Sequence, residues 1–437
     1  MSEAAARAAA SGRDRPGPTH LPLRVGAGRA DITPDWPVSL AGFAVRTGRS
    51  TGVAHRLHVR AIVVERGPRR VLVVSADLLN WSPERLPGLR SRLTARCGIA
   101  PDAMVFAATH NHSAPATTRW MAPSIGVLDS PYADLLEART VAAVTDAIAD
   151  LEEVTVANGI GTFDLGMHRR TVVDGRAIAR PNPDGPADHD ISVLAYRRRD
   201  GSLKAALTHY TCHPVLSREP VLTGEFTGYA MDTLEERTGA TCLYLQGCCG
   251  DVNPGRLGGS GITQVPVQGE RLADAVGAVL ASLPAGTDGS GDPGARWATA
   301  QLPFDQIPTP AELTGMVDRD GIDGEWARTL LTDLTTLRPS ATLLVQRLDL
   351  GGGIDLLTFN GEVTVAYGLR VKARSGGTVW PVGYANGMLG YLPTAQQLAD
   401  GGYEADESTR YYLLPGRFAR SIEQRINDTA DSLLRAD

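Results

Sequence analysis

Residues 58–79 read HVRAIVVERGPRRVLVVSADLL and contain two runs rich in β-branched residues. Charged or turn-forming residues bound each run, and the RGPR of residues 66–69 separates them. This pattern predicts two buried strands, at 58–65 and 70–79, joined by a short turn. Further strand-like runs alternate along the chain with runs of helical periodicity. The alternation predicts an α/β protein with mixed β-sheets flanked by helices.

The remaining elements are predicted from the same two periodicities. The opening stretch LPLRVGAGRADITP, residues 21–34, predicts a strand, a glycine corner and a turn closed by Pro34. Residues 131–151 have apolar side chains at helical spacing and predict a helix. We further expect strands at 103–110, 191–198, 203–213, 242–247, 297–304, 343–350 and 354–361, and helices at 83–98, 231–239, 269–283 and 415–436.

Two segments are predicted to lie outside the regular elements. The N-terminal stretch is rich in Ala, Arg and Ser and lacks the apolar centre of a secretory signal. We therefore expect residues 1–22 to be a disordered tail. The Gly/Asp-rich stretch AGTDGSGDPGARW predicts an internal loop or boundary near 285–296, within a domain that spans 23–437.

The composition argues against several classes of function. The chain carries 43 Lys and Arg against 49 Asp and Glu, a net charge of −6. We expect no nucleic-acid partner and no stable membrane association, because a mildly acidic chain lacks the basic surface that nucleic acids and anionic membranes attract. No apolar stretch approaches the length of a membrane span. The odd number of cysteines, five, and the missing signal predict a cytoplasmic location.

Two histidines stand at the end of a predicted strand in FAATHNHSAPAT, residues 106–117. Because alternate side chains of a strand share a face, we expect His110 and His112 to point the same way. Such a pair suits a zinc site, in which imidazole and carboxylate are preferred ligands. The alternative is a pair of histidines that cap a loop, and the spacing alone leaves both interpretations open.

Two other stretches carry candidate ligands. In LTHYTCHPVLS, His209 and His213 are four residues apart, which would also place them on one face of a strand. Glu362 follows a predicted strand and a glycine, and Tyr391 lies in the Gly-rich GYANGMLGYLPT. Each of these residues has a structural alternative, as a buried histidine, a surface glutamate or a packing tyrosine.

A glycine-rich loop, GCCGDVNPG, follows the predicted strand at 242–247. Gly247 and Gly250 allow a backbone to approach a ligand closely. Asp251 and Asn253 favour a tight turn through hydrogen bonds to their own backbone. The loop is therefore either a substrate or oxyanion loop or a plain corner after a strand.

Taken in order, several stretches resemble one family. VGAGRADITP, GVAHRLHVRAIVV, VVSADL, ATHNHSAP, a His-Pro pair, GDVNP, NGEVT and GYANGMLGYLPT follow one another along the chain. This series resembles the catalytic domain of the neutral (non-lysosomal) ceramidases, from about residue 24 to near the C-terminus. The resemblance implies a zinc amidohydrolase whose metal is held by two histidines, one glutamate and one tyrosine.

Matched residue by residue, the resemblance assigns the metal ligands. They are His110, His213, Glu362 and Tyr391, with His209 in place of His213 if the register is shifted.

The same resemblance assigns roles beside the metal. His112 matches a histidine that hydrogen-bonds at the site. Arg169, in the stretch MHRR, loosely matches a substrate-facing arginine. Tyr403 and Glu404 match a Tyr-Glu pair that follows the tyrosine ligand.

The chain departs from the resembled family in its glycine loop. The family's loop reads GDVSP, and its serine is the proposed nucleophile. Asn253 stands at that position here and has no nucleophilic oxygen comparable to an alkoxide. We expect a zinc-activated water to attack instead, with Asn253 donating to the oxyanion and Asp251 holding the loop. Cys248 and Cys249 do not align with the serine.

The sequence therefore predicts a cytoplasmic zinc-dependent hydrolase that cleaves an amide bond of a small soluble molecule. Two alternatives stay open. One is a non-hydrolytic zinc enzyme for intramolecular acyl transfer or cyclisation, and the other is a non-catalytic, zinc-stabilised binding protein. The resembled ceramidases are secreted or face membranes and carry an immunoglobulin-like C-terminal domain. We expect neither that domain nor a membrane anchor in this chain.

Overall fold

The computed structural model describes residues 21–255 and 261–435. Its strands are β1 (Arg24–Asp31), β2 (Gly52–Val53), β3 (His58–Arg66), β4 (Arg69–Ala76), β5 (Met104–Ala108), β6 (Glu152–Glu153), β7 (Thr155–Thr162), β8 (Gly166–Val173), β9 (Arg176–Asn182), β10 (Asp190–Arg197), β11 (Leu203–Tyr210), β12 (Val221–Leu222), β13 (Thr241–Gln246), β14 (Val252–Pro254), β15 (Gly294–Pro303), β16 (Ser340–Asp349), β17 (Asp355–Phe359), β18 (Glu362–Val363), β19 (Val379–Val382) and β20 (Tyr391–Leu392). Its helices are α1 (Leu86–Cys97), α2 (Ser130–Ala149), α3 (Glu225–Thr238), α4 (Gln264–Ser282), α5 (Pro310–Thr314), α6 (Ile322–Thr332), α7 (Val365–Ser375), α8 (Ala395–Asp400), α9 (Ser408–Tyr411) and α10 (Ile422–Leu434). Within the described ranges, no helix is both long and apolar enough to cross a lipid bilayer. The predicted tail, residues 1–22, lies outside the described residues except for its last two.

Two β-sheets packed face to face form the centre of the protein. The first has the strand order β5-β4-β3-β1-β6, and within it only β4 and β5 run parallel. The second has the order β13-β11-β10-β7, with β11 and β13 parallel. Ile62 and Val74 of the first sheet share a buried cluster with Leu207 and Leu245 of the second. Helix α2 covers the outer face of the first sheet, and α3 and α4 cover that of the second.

A third sheet, with the order β15-β16-β17-β19, carries the C-terminal part of the fold. Helix α10 packs along β15 and β16, and α7 packs on β19. Leu348 and Val382 of this sheet reach the central buried cluster. The stretch 285–297, predicted as a loop or boundary, leads from α4 to β15, and its Thr287 bridges to Val156 of β7.

Short sheets bring several predicted site residues together. The parallel strands β18 and β20 pair Glu362 with Tyr391. Asn253 lies in β14, which pairs with β8. The backbone nitrogen of His213 donates to the carbonyl of Val252 at 3.1 Å. These bonds place the short sheets against the ends of the central strands.

The structure confirms the predicted fold class, a mixed α/β protein. The two strands predicted at 58–65 and 70–79 are β3 and β4. They pair antiparallel, with Val59 opposite Ala76 at one end and Arg66 opposite Arg69 at the other. Gly67 makes the turn between them with a φ of 58°. The apolar side chains of both strands are buried, because sheet and helix cover both of their faces.

The strands predicted around both histidine pairs are too long. β5 ends at Ala108, and His110 beyond it has a left-handed backbone with a φ of 62°. β11 ends at Tyr210, so that His209 lies inside the strand and His213 outside it. The alternation of side chains along a strand therefore does not explain how His110 and His112, or His209 and His213, are oriented. The loops that follow the strands set it instead.

The glycine corner predicted in VGAG is also wrong, because β1 continues through it. Gly26 and Gly28 lie on the face of β1 that α2 covers. A Cβ added to Gly26 would lie 1.8 Å from the carbonyl oxygen of Ala147, and one added to Gly28 would lie 2.1 Å from that of Ala143. The glycines are needed because the backbone of α2 approaches the strand closely.

We expect Gly28→Ala to lower the free energy of unfolding by about 1–3 kcal/mol, because the added methyl group collides with the backbone of α2. Chemical denaturation monitored by circular dichroism measures the change. Gly277→Ala in α4 is the matched control, since a methyl group there meets no atom within 4 Å. Alanine is favoured over glycine in a helix by about 1 kcal/mol, so the control is expected to be neutral or stabilising. Unchanged stability of Gly28→Ala would contradict the close packing of α2 on β1.

Candidate functional site

Three histidines form one cluster at the ends of the central strands. His110, His112 and His213 each offer a ring nitrogen, and these atoms lie within 4.8 Å of one another. His110 and His213 are fully buried, whereas His112 is partly exposed. The cluster can hold a metal ion.

Backbone hydrogen bonds hold the loop that carries His110. The backbone nitrogen of Thr109 donates to the carbonyl of Ala76 at 3.0 Å, and that of Asn111 donates to the carbonyl of Leu78 at 2.9 Å. The loop therefore stays beside the end of β4 after strand pairing with β5 has ended. His110, between these two bonds, is fixed in its left-handed conformation.

Two of the histidines have a fixed tautomer. Nδ1 of His110 lies 3.0 Å from the carbonyl oxygen of Leu79, and Nδ1 of His213 lies 3.2 Å from that of Val252. Because a carbonyl oxygen only accepts, each Nδ1 carries the proton and each neutral ring has a bare Nε2. Both Nε2 atoms lie 3.2 Å from the same atom, Oε2 of Glu362.

The negative charge of Glu362, between His110 and His213, has no positive charge beside it among the described residues to balance it. Burial opposes the negative charge of the Glu362 carboxylate, so a positive charge beside it is needed to keep it ionised. Burial lowers the pKa of His213 to about 4, so that its ring is neutral at pH 7. A bare nitrogen and a carboxylate oxygen repel one another unless a proton or a metal cation lies between them. The residues therefore fit a divalent metal, whose histidine ligands commonly donate their other N–H to a carbonyl.

His112 differs from the other two histidines. Its Nε2 lies 3.2 Å from Nε2 of His110, but its buried Nδ1 has no hydrogen-bond partner in the part of the chain that the structure describes. Burial, together with the rings of His110 and His213, holds the pKa of His112 well below its ordinary value. His112 thus lacks the carbonyl partner that orients a metal ligand, and its ring is neutral.

Arg169 connects three other predicted residues. Its guanidinium donates to Oδ1 of Asn253 at 3.0 Å, to the hydroxyl of Tyr391 at 2.9 Å and to Oε1 of Glu404 at 2.9 Å. Burial opposes its charge, but Tyr391 and Glu404 hold its pKa well above the ordinary value. All three guanidinium nitrogens therefore have partners within the chain. Arg169 orients Asn253 and Tyr391, and its contact with substrate stays a prediction.

Comparison with known proteins supports the family resemblance seen in the sequence. Residues 23–258, more than half of the chain, match the family described as neutral/alkaline non-lysosomal ceramidase, N-terminal. The chain belongs to the neutral/alkaline non-lysosomal ceramidase family. Members of this family are hydrolases that act on amides.

Two solved structures share the ceramidase fold of this chain. Neutral ceramidase from Pseudomonas aeruginosa matches with a TM-score of 0.73 and 21% identity, over 95% of this chain and 75% of that one. A ceramidase complexed with C2 matches with a TM-score of 0.72 and 20% identity, over 94% of this chain and 75% of that one. The predicted ceramidase-like fold is therefore confirmed.

In this ceramidase-family chain, Asp251 ties the glycine loop to two helices. Its Oδ1 accepts from the backbone nitrogen of Val365 at 2.8 Å, and its Oδ2 accepts from Nε2 of Gln397 at 2.7 Å. Val365 begins α7 directly after β18, the strand that carries Glu362. Asp251 therefore links the position of the glycine loop to that of Glu362.

The other candidates from the sequence lie outside the cluster. His209 makes a hydrogen bond with the carbonyl of Pro381 at 2.8 Å, and the structure brings His213 to the cluster in its place. Cys248 and Cys249 are buried, and burial raises the pKa of both thiols. A thiol that stays protonated is a poor nucleophile.

Sequence reasoning missed two tyrosines at the site. Tyr384 stacks on His110 with 4.1 Å between ring centroids, and Tyr412 donates a hydrogen bond to Oε1 of Glu362. Tyr384 has a left-handed φ of 56°, and Leu413 next to Tyr412 has one of 49°. Such conformations are rare outside glycine and cluster at functional sites. Tyr384 lies in the motif GYANGMLGYLPT, which pointed to Tyr391 instead, whereas Tyr412 lies in no motif that would reveal it in the sequence.

We expect His110→Ala and His213→Ala to lose bound metal, because each change removes a bare nitrogen that faces Glu362. We expect His112→Ala to retain it, since His112 lacks the carbonyl partner of the other two. Elemental mass spectrometry after metal loading and desalting gives the number of ions per chain. His209→Ala is the control for loss of a buried histidine. Full metal retention in His110→Ala, or loss of bound metal in His209→Ala, would contradict the ligand assignment.

Proposed function

We propose that this protein is a zinc-dependent hydrolase that cleaves an amide bond with a water molecule, and not a serine, as the nucleophile. The observation that carries the proposal is the convergence of two bare histidine nitrogens on one carboxylate oxygen. Membership in the ceramidase family supports amide hydrolysis as the class of reaction. One structural relative is named as a neutral ceramidase, and ceramide is itself an amide.

In this proposal, His110, His213 and Glu362 would hold the zinc ion, with Tyr391 as the fourth ligand expected from the resemblance. The bound ion would polarise the amide carbonyl and lower the pKa of water to about 7. Burial raises the pKa of Tyr391, and the adjacent guanidinium of Arg169 opposes this effect. Arg169 thus favours the ionised phenol that a metal ligand needs.

His112 is the proposed proton carrier. Its neutral ring takes a proton from the attacking water and transfers that proton to the departing amine nitrogen as the C–N bond breaks. The products are a carboxylic acid and an amine, and His112 returns to its starting state. The support for this role is the lack of any hydrogen-bond partner for Nδ1 among the described residues, together with the partial exposure of the ring.

Asn253 is the proposed donor to the oxyanion that develops on the carbonyl. Its Oδ1 already accepts from Arg169, so the amide is oriented and Nδ2 is left to donate. An asparagine cannot replace the nucleophilic serine of the resembled loop, because it has no oxygen that can form an alkoxide. A water molecule therefore has to attack the amide carbonyl directly, without an acyl-enzyme intermediate.

We propose a small soluble amide as the substrate and the cytoplasm as the compartment. The ring of Phe43 packs on His112, and the guanidinium groups of Arg46 and Arg218 lie 5.0 Å and 5.5 Å from that ring. This cationic rim suits a polar or anionic substrate better than the two hydrocarbon chains of a ceramide. All five cysteines are free and buried, which supports a reducing compartment.

Hydrolysis of short N-acyl amino acids by the zinc-loaded protein in ¹⁸O-labelled water tests the proposal. We expect equimolar amine and acid, one ¹⁸O atom in the acid, and no turnover by His110→Ala. Products that carry no added water would indicate cyclisation or acyl transfer instead. Cleavage of micellar N-acyl sphingosine, with no cleavage of soluble amides, would refute the substrate class. Metal binding without turnover of either class would indicate a binding protein.

We expect Asn253→Asp to lower kcat about 10²–10³-fold with a smaller change in KM, because it removes the Nδ2 donor. The variant keeps an oxygen that accepts from Arg169, so the local hydrogen bond is retained. Asn253→Ser loses both the donor and this bond, and we expect it to lower kcat as well. Faster hydrolysis of N-acyl substrates by Asn253→Ser would instead mean that Asn253 has no catalytic role of its own. Steady-state kinetics on one substrate separates these outcomes.

A further inference from the structure

The two carboxylate oxygens of Glu362 have different partners. Oε2 lies 3.2 Å from Nε2 of His110 and 3.2 Å from Nε2 of His213. Oε1 accepts a hydrogen bond from the hydroxyl of Tyr412. Across residues 21–255 and 261–435, Tyr412 is the one side chain besides these histidines with a polar atom within hydrogen-bond distance of the carboxylate.

The surrounding backbone holds Tyr412 in place. Its own nitrogen donates to the carbonyl of Ser408 at 3.2 Å, at the end of α9. On the other side its ring lies against Gly390, where an added Cβ would lie 3.0 Å from Cγ of the tyrosine. The carbonyl of Gly390 also accepts from the backbone nitrogen of Glu362 at 2.8 Å. Gly390 therefore contacts both residues and fixes the hydroxyl relative to the carboxylate.

We propose that Tyr412 is a positioning residue that restricts Glu362 to a single ligating oxygen. This inference rests on the proposed function, because it requires that Glu362 binds a metal. With Oε1 engaged by the phenol, Oε2 is the oxygen available to the ion, on the side of the two histidines. Binding through one oxygen keeps a coordination position open for substrate and water, as a catalytic zinc site requires. Tyr412 thus controls the openness of the site without touching the reacting atoms.

Tyr412→Phe tests the inference, with Tyr367→Phe as its matched control. Tyr367 lies in the same apolar cluster, and its hydroxyl donates to the carbonyl of Pro393 at 3.1 Å, away from Glu362. Both variants remove one buried phenol hydroxyl, so we expect similar losses of stability in the metal-free proteins. Competition with a chromophoric chelator is expected to show a 10–100-fold weaker zinc affinity for Tyr412→Phe alone. The cobalt-loaded variant is expected to absorb more weakly in the visible range, because a second carboxylate oxygen raises the coordination number.

Each other outcome overturns the inference. Equal zinc affinity and equal cobalt spectra for Tyr412→Phe and Tyr367→Phe would mean that the hydroxyl of Tyr412 only contributes to stability. Complete loss of metal from Tyr412→Phe, as expected for His110→Ala, would make Tyr412 a ligand. If the wild-type protein binds no metal, the proposed function fails as well. Metal analysis of the wild-type protein shows this before any variant is compared.

Discussion

The buried negative charge of Glu362 is the constraint on which the site depends. A carboxylate in a protein interior is costly unless it is paired and hydrogen-bonded. The protons of His110 and His213 are both directed to backbone carbonyls, so neither ring donates to it. Tyr412 supplies a single hydrogen bond on the other oxygen. A bound cation would complete the balance of charge, and the three histidines at this place could hold one.

The central sheets explain why these side chains meet. His110 follows β5, which is parallel to β4, and His213 follows β11, which is parallel to β13. Ligands of α/β proteins generally bind where parallel strands end, because the loops there converge on one edge. A separate short sheet, the parallel pair of β18 and β20, brings Glu362 and Tyr391 to the same edge. Scaffold and loops thus have separate tasks: the sheets provide a rigid core, and irregular backbone just beyond them orients the side chains.

The types of the site residues and their order along the chain could be predicted from the sequence, but the geometry of the site could not. The paired histidines and the ordered motifs identified the family, and the buried strands β3 and β4 were recognised from their β-branched runs. The explanation from strand alternation was wrong, because tertiary contacts end β5 at Ala108 and turn the chain at His110. The glycines of β1 were taken for a corner, since a close helix leaves no periodic signal. Tyr412 was missed because its partner lies far away in sequence and a lone tyrosine has no pattern.

The proposed ligand side chains come from distant parts of the chain, at residues 110, 213 and 362. This separation has a thermodynamic consequence. An ion bound by all three acts as a cross-link between the central sheets and the C-terminal sheet. Whatever binds only the folded state stabilises it by mass action, by about 4 kcal/mol when the free ligand exceeds its dissociation constant a thousandfold. The lifetime of the protein in a cell would then follow the supply of the metal. Under metal limitation, the metal-free protein would unfold more often and be more exposed to proteases.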